Sequence, residues 1–294
     1  MVNDEFYELV EQVTRDLYIQ SLKDVPPDVR DALSKAIDKE SSPTARQLLQ
    51  TMFRALQLGD EKDMIVCQDT GLPVYWVSIG KGLYVDGPRL QKAIERGTER
   101  ATTEHPFRSS IVSPLGRENR QTSTGKRMPY MHIDFTDEHG DLEILIMPKG
   151  SGSENMSFLN MLVPADGIQG IKKFVLDCVI EAAGKTCPPS VVGVGIGGTA
   201  DQCVYLAKLA LTRAVGSHNP DSAIAAMEDE LLEVINQTGI GPMGLGGDTT
   251  SLAVHIEDAW THITMNPVAV NLQCWRGLRR RAYVHTDGSV DYGY

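Results

Sequence analysis

The stretch VCQDTG at residues 66–71 places a thiol, an amide and a carboxylate side by side as Cys67, Gln68 and Asp69. An apolar run precedes it and a strand-like run, Leu72–Val77, follows it, so a tight turn is expected here. A thiolate in such a turn can ligate a metal or act as a nucleophile.

The chain holds five cysteines, an odd and scattered set that argues against a disulfide framework. No C-x-x-C pair is present, which disfavours a structural zinc site. Two of the cysteines lie within helical patterns and are interpreted as small core residues, whereas three lie at the edges of predicted elements. Three loop cysteines can hold three irons of a [4Fe–4S] cluster, although spacing alone leaves other ligation and nucleophilic chemistry open. The core pair is Cys178 and Cys203; the loop set is Cys67, Cys187 and Cys274.

A glycine-rich segment at residues 192–199, VGVGIGGT, satisfies GxGxxG between a predicted strand and a predicted helix. In a dinucleotide-binding fold, such glycines let a pyrophosphate approach the helix N-terminus. No Asp or Glu lies about 20 residues further on to hold a ribose, and no βαβ sequel is expected. We therefore interpret the segment as a tight strand-to-helix turn rather than a nucleotide site.

Two further glycine-rich segments remain ambiguous at this level. Residues 148–155, PKGSGSEN, follow a predicted strand, and their exposed amides are suited to a carboxylate or phosphate. Residues 241–250, GPMGLGGDTT, have a similar composition. Both are equally compatible with ordinary flexible turns.

The acidic balance of the chain excludes several partners. The 294 residues carry a net charge of −11, which disfavours nucleic-acid and anionic-membrane surfaces. No stretch approaches the roughly 20 apolar residues of a membrane span. The acidic start MVNDEF lacks the basic and apolar regions of a signal peptide, so we expect a cytoplasmic location.

Hydrophobic periodicity predicts a helical region over about the first 60 residues and a mixed core over about 61–294. We expect an α/β or α+β fold that forms one domain over residues 1–294. Predicted helices after residue 60 are Pro88–Thr103, Gly167–Ala183, Thr199–Ala214 and Asp221–Asn236. Predicted strands are Leu72–Ser78, Met131–Phe135, Leu142–Met147, Ser190–Ile196, Leu252–Ile256 and Val268–Asn271.

Several long motifs in order give the chain a specific likeness to a known family. It resembles the class I (iron–sulfur) fumarate hydratases, and in particular the α subunit of their two-subunit members. The L-tartrate dehydratase α subunit is a close relative that shares many of the motifs. The motifs are CQDTG at 67–71, KGSGSENMSFLNML at 149–162, PADGIQGIKKFV at 164–175, CPPSVVGVGIGGT at 187–199, IGPMGLGGDTTS at 240–251 and NLQCWRGLRR at 271–280.

The resemblance implies a role for particular residues. The three loop cysteines match the ligands of a [4Fe–4S] cluster with one open iron site, which would act as a Lewis acid. Asp69 and His262 match catalytic positions. Gln68, Arg108 and Gly150 match positions that contact a small dicarboxylate substrate.

The resemblance also implies a reaction and a partner. The reaction is the reversible hydration of fumarate to malate, as in the tricarboxylic acid cycle, with L-tartrate dehydratase and mesaconase activities as alternatives. Single-chain members continue into a C-terminal domain that supplies the base for the proton at carbon, and this sequence stops at Tyr294. We therefore expect a separate β subunit that carries that domain, in an α2β2 assembly.

Two features leave alternatives open. Lys126 and Arg127 stand where fumarases usually have an acidic–amide pair, which indicates either another substrate group or a solvated loop. The arginine-rich tail after Trp275 indicates either part of a docking surface or a solvated basic tail. The rival functions are an iron–sulfur electron-transfer or sensor protein, which needs no substrate clamp, and a nicotinamide-dependent oxidoreductase.

Overall fold

A computed structural model describes residues 2–294 of the chain. Short 3-10 helices occur at Pro164–Asp166, Ala183–Thr186 and Pro242–Gly244. The α-helices are α1 Asp4–Lys23, α2 Pro27–Lys39, α3 Pro43–Lys62, α4 Gly87–Glu104, α5 Ser151–Glu154, α6 Gly167–Ala182, α7 Ala200–Ala210 and α8 Ser222–Asn236. The strands are β1 Leu72–Gly80, β2 Tyr130–Thr136, β3 Leu142–Lys149, β4 Ser157–Leu162, β5 Ser190–Gly197, β6 Ser251–Ala259, β7 Asn266–Gln273, β8 Arg280–Val284 and β9 Val290–Gly293.

The chain divides into two compact units, each with its own sheet. Unit 1 comprises the chain up to Val25, Gly59–Gly150 and Leu278–Tyr294, and its five-stranded sheet has the order β2-β1-β3-β8-β9. Unit 2 comprises Pro26–Leu58 and Ser151–Gly277, and its four-stranded sheet has the order β4-β7-β5-β6. Each sheet mixes parallel and antiparallel pairs. The expectation of one domain over the whole chain stays a prediction.

In unit 1, helices α1 and α4 cross at close range. Each has a polar N-cap: the Asn3 side chain accepts a hydrogen bond from the Phe6 amide at 3.1 Å, and Asp86 accepts from the Arg89 amide at 3.2 Å. At the crossing, a Cβ placed on Gly97 would lie 2.5 Å from the Glu11 carbonyl oxygen. Only glycine permits this approach, and α1 in turn packs on β3 and β8.

In unit 2, helices cover both faces of the sheet. Valines and glycines alternate along β5, so that one face of the strand carries large side chains and the other carries none. Val192 and Val194 join the apolar core formed with α6 and α8. Gly193 and Gly195 point the other way, where a Cβ would lie 2.1 Å from a carbonyl oxygen of α7. The glycines of the GxGxxG pattern therefore seat a helix against a sheet.

The predicted α/β class and the helical N-terminal region are confirmed. The expected tight turn is present, because β5 ends at Gly197 and α7 begins at Ala200. The expectation that no βαβ unit follows β5 is wrong. β5 and β6 are parallel neighbours, and α7 and α8 lie between them in the chain. None of the helices within residues 2–294 is long and apolar enough to cross a membrane.

The other misses are short strands and one helix end. β4, β8 and β9 were not predicted, and α7 stops at Ala210 rather than Ala214. The interpretation of a solvated basic tail is wrong, because β8 pairs with β3 and β9 pairs with β8. Arg276 and Arg279 in the same region are buried, at 4% and 2% exposure.

The helix crossing yields a stability prediction. Gly97→Ala should lower the free energy of unfolding by about 2 kcal/mol. The higher helix propensity of alanine stabilises the helix by about 1 kcal/mol, but the clash with α1 destabilises the fold by more than that. Gly87→Ala in the same helix is the matched control, since a Cβ there meets nothing within 4 Å. Urea denaturation of both variants measures the difference, and equal stability would contradict the crossing.

Candidate active site

In unit 1, the register between β1 and β3 decides which loops meet. Leu72 pairs with Lys149 in an antiparallel ladder. The residues that precede Leu72 therefore run beside those that follow Lys149. Gly71 has φ +69°, and a Cβ on it would lie 2.8 Å from the Lys149 carbonyl oxygen. Glycine is required here on both counts.

Asp69 is held at this junction. Its Oδ1 accepts a hydrogen bond from the Gly71 amide at 3.0 Å, which fixes the turn. A Cβ on Gly150 would lie 3.1 Å from its Oδ2, so the missing side chain leaves room for the carboxylate. The structure thus brings together two of the predicted site residues, Asp69 and Gly150, and leaves Asp69 partly exposed.

Thr70 ties a third predicted residue to the same loop. Its buried hydroxyl donates to the carbonyl oxygen of Arg108, and its own carbonyl accepts from the Tyr18 hydroxyl at 3.2 Å. Burial raises the pKa of Tyr18 to about 12, so the phenol stays neutral and remains a donor at ordinary pH. The Arg108 side chain is exposed, as is that of Gln68. Tyr18 and Thr70 therefore anchor the main chain beneath the candidate site.

The segment that follows Arg108 is irregular but internally bonded. The Ser109 carbonyl accepts from the Asn119 side chain at 2.9 Å, and the Ser109 hydroxyl accepts from the Ser123 amide at 3.0 Å. Further along, Gly125 and Met128 exchange two main-chain hydrogen bonds around Lys126 and Arg127. Both basic side chains are exposed on this turn, as the interpretation of a solvated loop expects.

In unit 2, Cys187 follows a 3-10 turn in a left-handed conformation, with φ 54° and ψ 66°. A non-glycine residue in this region is strained and is held by its surroundings. Its carbonyl accepts from the Trp275 amide at 3.2 Å, so the segment that contains Cys274 lies alongside. The Cys274 carbonyl in turn accepts from the Gly277 amide at 2.9 Å. Two of the predicted cysteines thus lie on adjoining segments, while Cys67 belongs to unit 1.

His262 lies on the exposed loop between β6 and β7. Its Nδ1 is 2.9 Å from the Thr264 hydroxyl and accepts from the Thr264 amide at 3.3 Å. Because an amide can only donate, Nδ1 is the acceptor and the neutral ring carries its proton on Nε2. The ring is therefore oriented within its own loop.

The five cysteines, all within residues 2–294, form no disulfide and fall into two environments. Cys67 and Cys187 are exposed and Cys274 is partly exposed. Burial raises the pKa of Cys178 to about 12 and that of Cys203 to about 11, so both remain protonated thiols at ordinary pH. Within residues 2–294, no group of three or more His, Cys, Asp and Glu side chains is arranged to hold a single metal ion.

Sequence reasoning missed Tyr18. It lies in the amphipathic pattern of α1 and resembled any other core residue, so no signal distinguished it. Thr70 was visible within CQDTG, but its bond to Arg108 joins residues 38 apart in the chain. Only the folded path of the segment after α4 reveals that contact.

Comparison with known proteins identifies the family of this chain. The sequence profile of the fumarate hydratase (Fumerase) family matches residues 11–284. The chain belongs to that family and is a hydro-lyase.

Individual relatives agree over nearly the whole length. A provisionally named L(+)-tartrate dehydratase subunit alpha of Methanocaldococcus jannaschii is 43% identical over 285 residues, which cover 96% of this chain and 99% of the relative. The L(+)-tartrate dehydratase subunit alpha of Escherichia coli strain K12 is 33% identical over 263 residues, which cover 90% of this chain and 86% of the relative. The protein of the same name from Shigella sonnei has the same identity and coverage.

The two thiol environments predict a clear order of reactivity. In the metal-free chain at pH 8, iodoacetamide should modify Cys67 and Cys187 first. A pKa of about 12 leaves only about 10⁻⁴ of Cys178 as thiolate at that pH. Peptide mass spectrometry over a time course measures each site. Modification of Cys178 or Cys203 as fast as Cys67 in folded protein would contradict the assignment.

Proposed function

We propose that this chain is the cluster-bearing α subunit of an iron–sulfur hydro-lyase that hydrates fumarate reversibly to malate. The observation that carries the proposal is the family match across residues 11–284, together with the CQDTG loop seated against Gly150. Fumarate is placed first because the SGSENMS segment resembles that of fumarases. In this role the protein would serve the tricarboxylic acid cycle, in the cytoplasm.

Cys67, Cys187 and Cys274 are the proposed protein ligands of a [4Fe–4S] cluster. The chemistry of the donor set supports this choice, because these are the accessible thiols and the other two are buried with raised pKa values. When bound with three thiolates, the cluster supplies an open iron that serves as a Lewis acid for a hydroxyl and an adjacent carboxylate. A four-cysteine arrangement would leave no such position.

Asp69 is the proposed proton carrier within unit 1. Its Oδ1 is engaged by the Gly71 amide, and its Oδ2 faces the side where residue 150 has no side chain. A carboxylate fixed at one oxygen keeps the other oriented for proton transfer. His262 is the proposed second member of the acid–base pair, with its proton held on Nε2 by the Thr264 amide at Nδ1.

The substrate contacts are proposed for Arg108, Gln68 and Gly150. Arg108 has an exposed guanidinium on a main chain that Thr70 fixes, which suits a bidentate hold on a carboxylate. Gln68 is an exposed amide next to Asp69. Gly150 contributes its backbone at a point where a side chain would crowd the carboxylate of Asp69. Together these groups would fix the orientation of the substrate before a proton is transferred.

A separate β subunit is the proposed partner, in an α2β2 assembly. The relatives are named as subunits alpha, which implies a second kind of subunit in their enzymes. The proposed site also lacks an assigned base for the proton at carbon, which fits a residue supplied by another chain.

L(+)-tartrate is the second candidate substrate, because the relatives at 43% and 33% identity carry that name. Mesaconate is a third dicarboxylate of the same class. The reconstituted complex should be assayed with fumarate, L(+)-tartrate and mesaconate under anaerobic conditions. The highest kcat/KM with fumarate supports the proposal, and a clear preference for either of the others replaces its substrate.

The ligand assignment predicts an all-or-none pattern. Cys67→Ser, Cys187→Ser and Cys274→Ser should each abolish cluster iron, because serine is a poor soft-metal ligand. Cys178→Ser and Cys203→Ser are the matched controls and should keep it. Iron and sulfide content after anaerobic reconstitution measures the outcome. Retention of the cluster in Cys187→Ser with its loss in Cys178→Ser would reverse the assignment.

Asp69→Asn should keep the fold and the cluster yet lower kcat roughly 10²–10⁴-fold, the range typical of lost acid–base help. The asparagine oxygen can still accept from the Gly71 amide, so the turn survives. Asp63→Asn is the control, since that exposed carboxylate in the same unit pairs with Lys23. Near-normal turnover in Asp69→Asn would leave Asp69 as a turn residue only.

The partner proposal predicts that the isolated chain, loaded with its cluster, has no measurable fumarate hydration. Addition of the β subunit should restore turnover, because that chain would supply the missing base. Anaerobic assays at a series of subunit ratios measure this, and saturation near one to one is expected. Full turnover by this chain alone would refute the two-subunit proposal.

A further inference from the structure

Glu40, the residue after α2, is a carboxylate with no exposed surface, and its side chain is bonded to main-chain amides. Its two oxygens accept from the Asp248 amide at 2.9 and 3.0 Å and from the Thr249 amide at 3.3 Å. The Ser42 amide adds a fourth bond at 3.2 Å. Buried carboxylates are tolerated where several N–H groups converge on them. The GGDTT segment thus forms an anion-binding nest that a residue of the same unit fills.

The contact is reciprocal, which makes it a clamp rather than a single bond. The Oδ2 of Asp248 accepts from the Ser41 amide at 2.7 Å. The Arg46 side chain donates to the Glu40 carbonyl through Nε at 3.1 Å and so fixes the corner between α2 and α3. Residues 40–42 and 248–249 therefore bind each other in both directions.

The clamped segment reaches the Cys187 turn. The loop from Ile240 to Thr250 is closed on itself by the Gly246 amide, which donates to the Ile240 carbonyl at 2.9 Å. At its tip, the Met243 amide donates to the Pro188 carbonyl at 2.8 Å. A Cβ on Gly184 would lie 3.1 Å from the Met243 carbonyl oxygen, so the loop also packs against the turn before Cys187.

We propose that Glu40 is a positioning residue: its buried carboxylate fixes the loop 240–250 and, through the bond between Met243 and Pro188, the placement of the Cys187 thiol. Cys187 has a left-handed backbone that its neighbours must impose, and this loop is one of those neighbours. The inference rests on the proposed function only for the meaning of the thiol as a ligand. The Glu40 carboxylate is fully buried among main-chain amides, so it acts on the thiol only through the loop.

Hydrogen exchange of the full metal-free chain tests the clamp. Glu40→Gln preserves the shape of the side chain but replaces one acceptor oxygen by an NH2 group, which cannot accept from the surrounding N–H donors. Amides in 240–250 should therefore exchange about tenfold faster. Amides in 183–189 should also exchange faster, while those in 66–71 of unit 1 should not change. Asp38→Asn is the matched control, because Asp38 is exposed in the last turn of α2, two residues before Glu40, and carries the same charge. A merely structural role would raise exchange in all three segments together and would overturn the proposal.

Site-resolved alkylation supplies the readout at the thiol. In Glu40→Gln, the rate at Cys187 should change at least about threefold relative to Cys67, since looser amides widen the range of thiol orientations. Unchanged rates at both cysteines with a loosened 240–250 loop would contradict transmission to Cys187. Neither measurement needs a cluster, so a failure of the iron–sulfur assignment would appear separately, as a wild-type chain that binds no iron.

A second variant keeps the test decisive if Glu40→Gln does not fold. Asp248→Asn weakens the reciprocal bond to Ser41 while the Glu40 carboxylate stays in place. The same two readouts should shift in the same direction by a smaller factor. No change at 183–189 and at Cys187 in folded Asp248→Asn would overturn the proposal.

Discussion

Close approach of one backbone to another, at positions without a side chain, is the constraint on which both units depend. In unit 1, Gly71 lies against the backbone of Lys149, and this contact brings the CQDTG loop to the end of β3. In unit 2, Gly193 and Gly195 admit α7 to within contact of β5. The glycine-rich motifs therefore act mainly by allowing close packing. This packing determines where the polar side chains next to the glycines lie.

The same constraint explains why polar residues cluster at these junctions. Chains that approach closely leave main-chain amides and carbonyls that need partners. The carboxylates of Asp69 and Glu40 each accept from such amides, and the Thr70 hydroxyl serves the carbonyl of Arg108. A carboxylate held by main-chain amides has a fixed orientation, which for Glu40 fixes a loop and for Asp69 fixes a turn.

The long periodic elements could be predicted from the sequence, and the short strands near the C-terminus could not. Strands such as β1 and β5 are recognisable as apolar runs bounded by turns. In contrast, β8 begins with two arginines and is separated from β9 by a polar turn, a pattern that suggested a solvated tail. Motifs in the sequence were enough to propose Asp69, Gly150 and Cys187 as site residues. Tyr18 and Glu40 could not be singled out in this way, because their partners lie 52 and 208 residues away in the chain. Such contacts depend on the register between distant segments, which local patterns do not encode.

The central claim is that three thiolates leave one iron of the cluster open to a dicarboxylate. Mössbauer spectroscopy of the complex reconstituted with ⁵⁷Fe measures this directly, with and without malate under anaerobic conditions. The account predicts that one iron in four changes its isomer shift when malate is added, while the other three do not. Four irons that remain indistinguishable at saturating malate would contradict it.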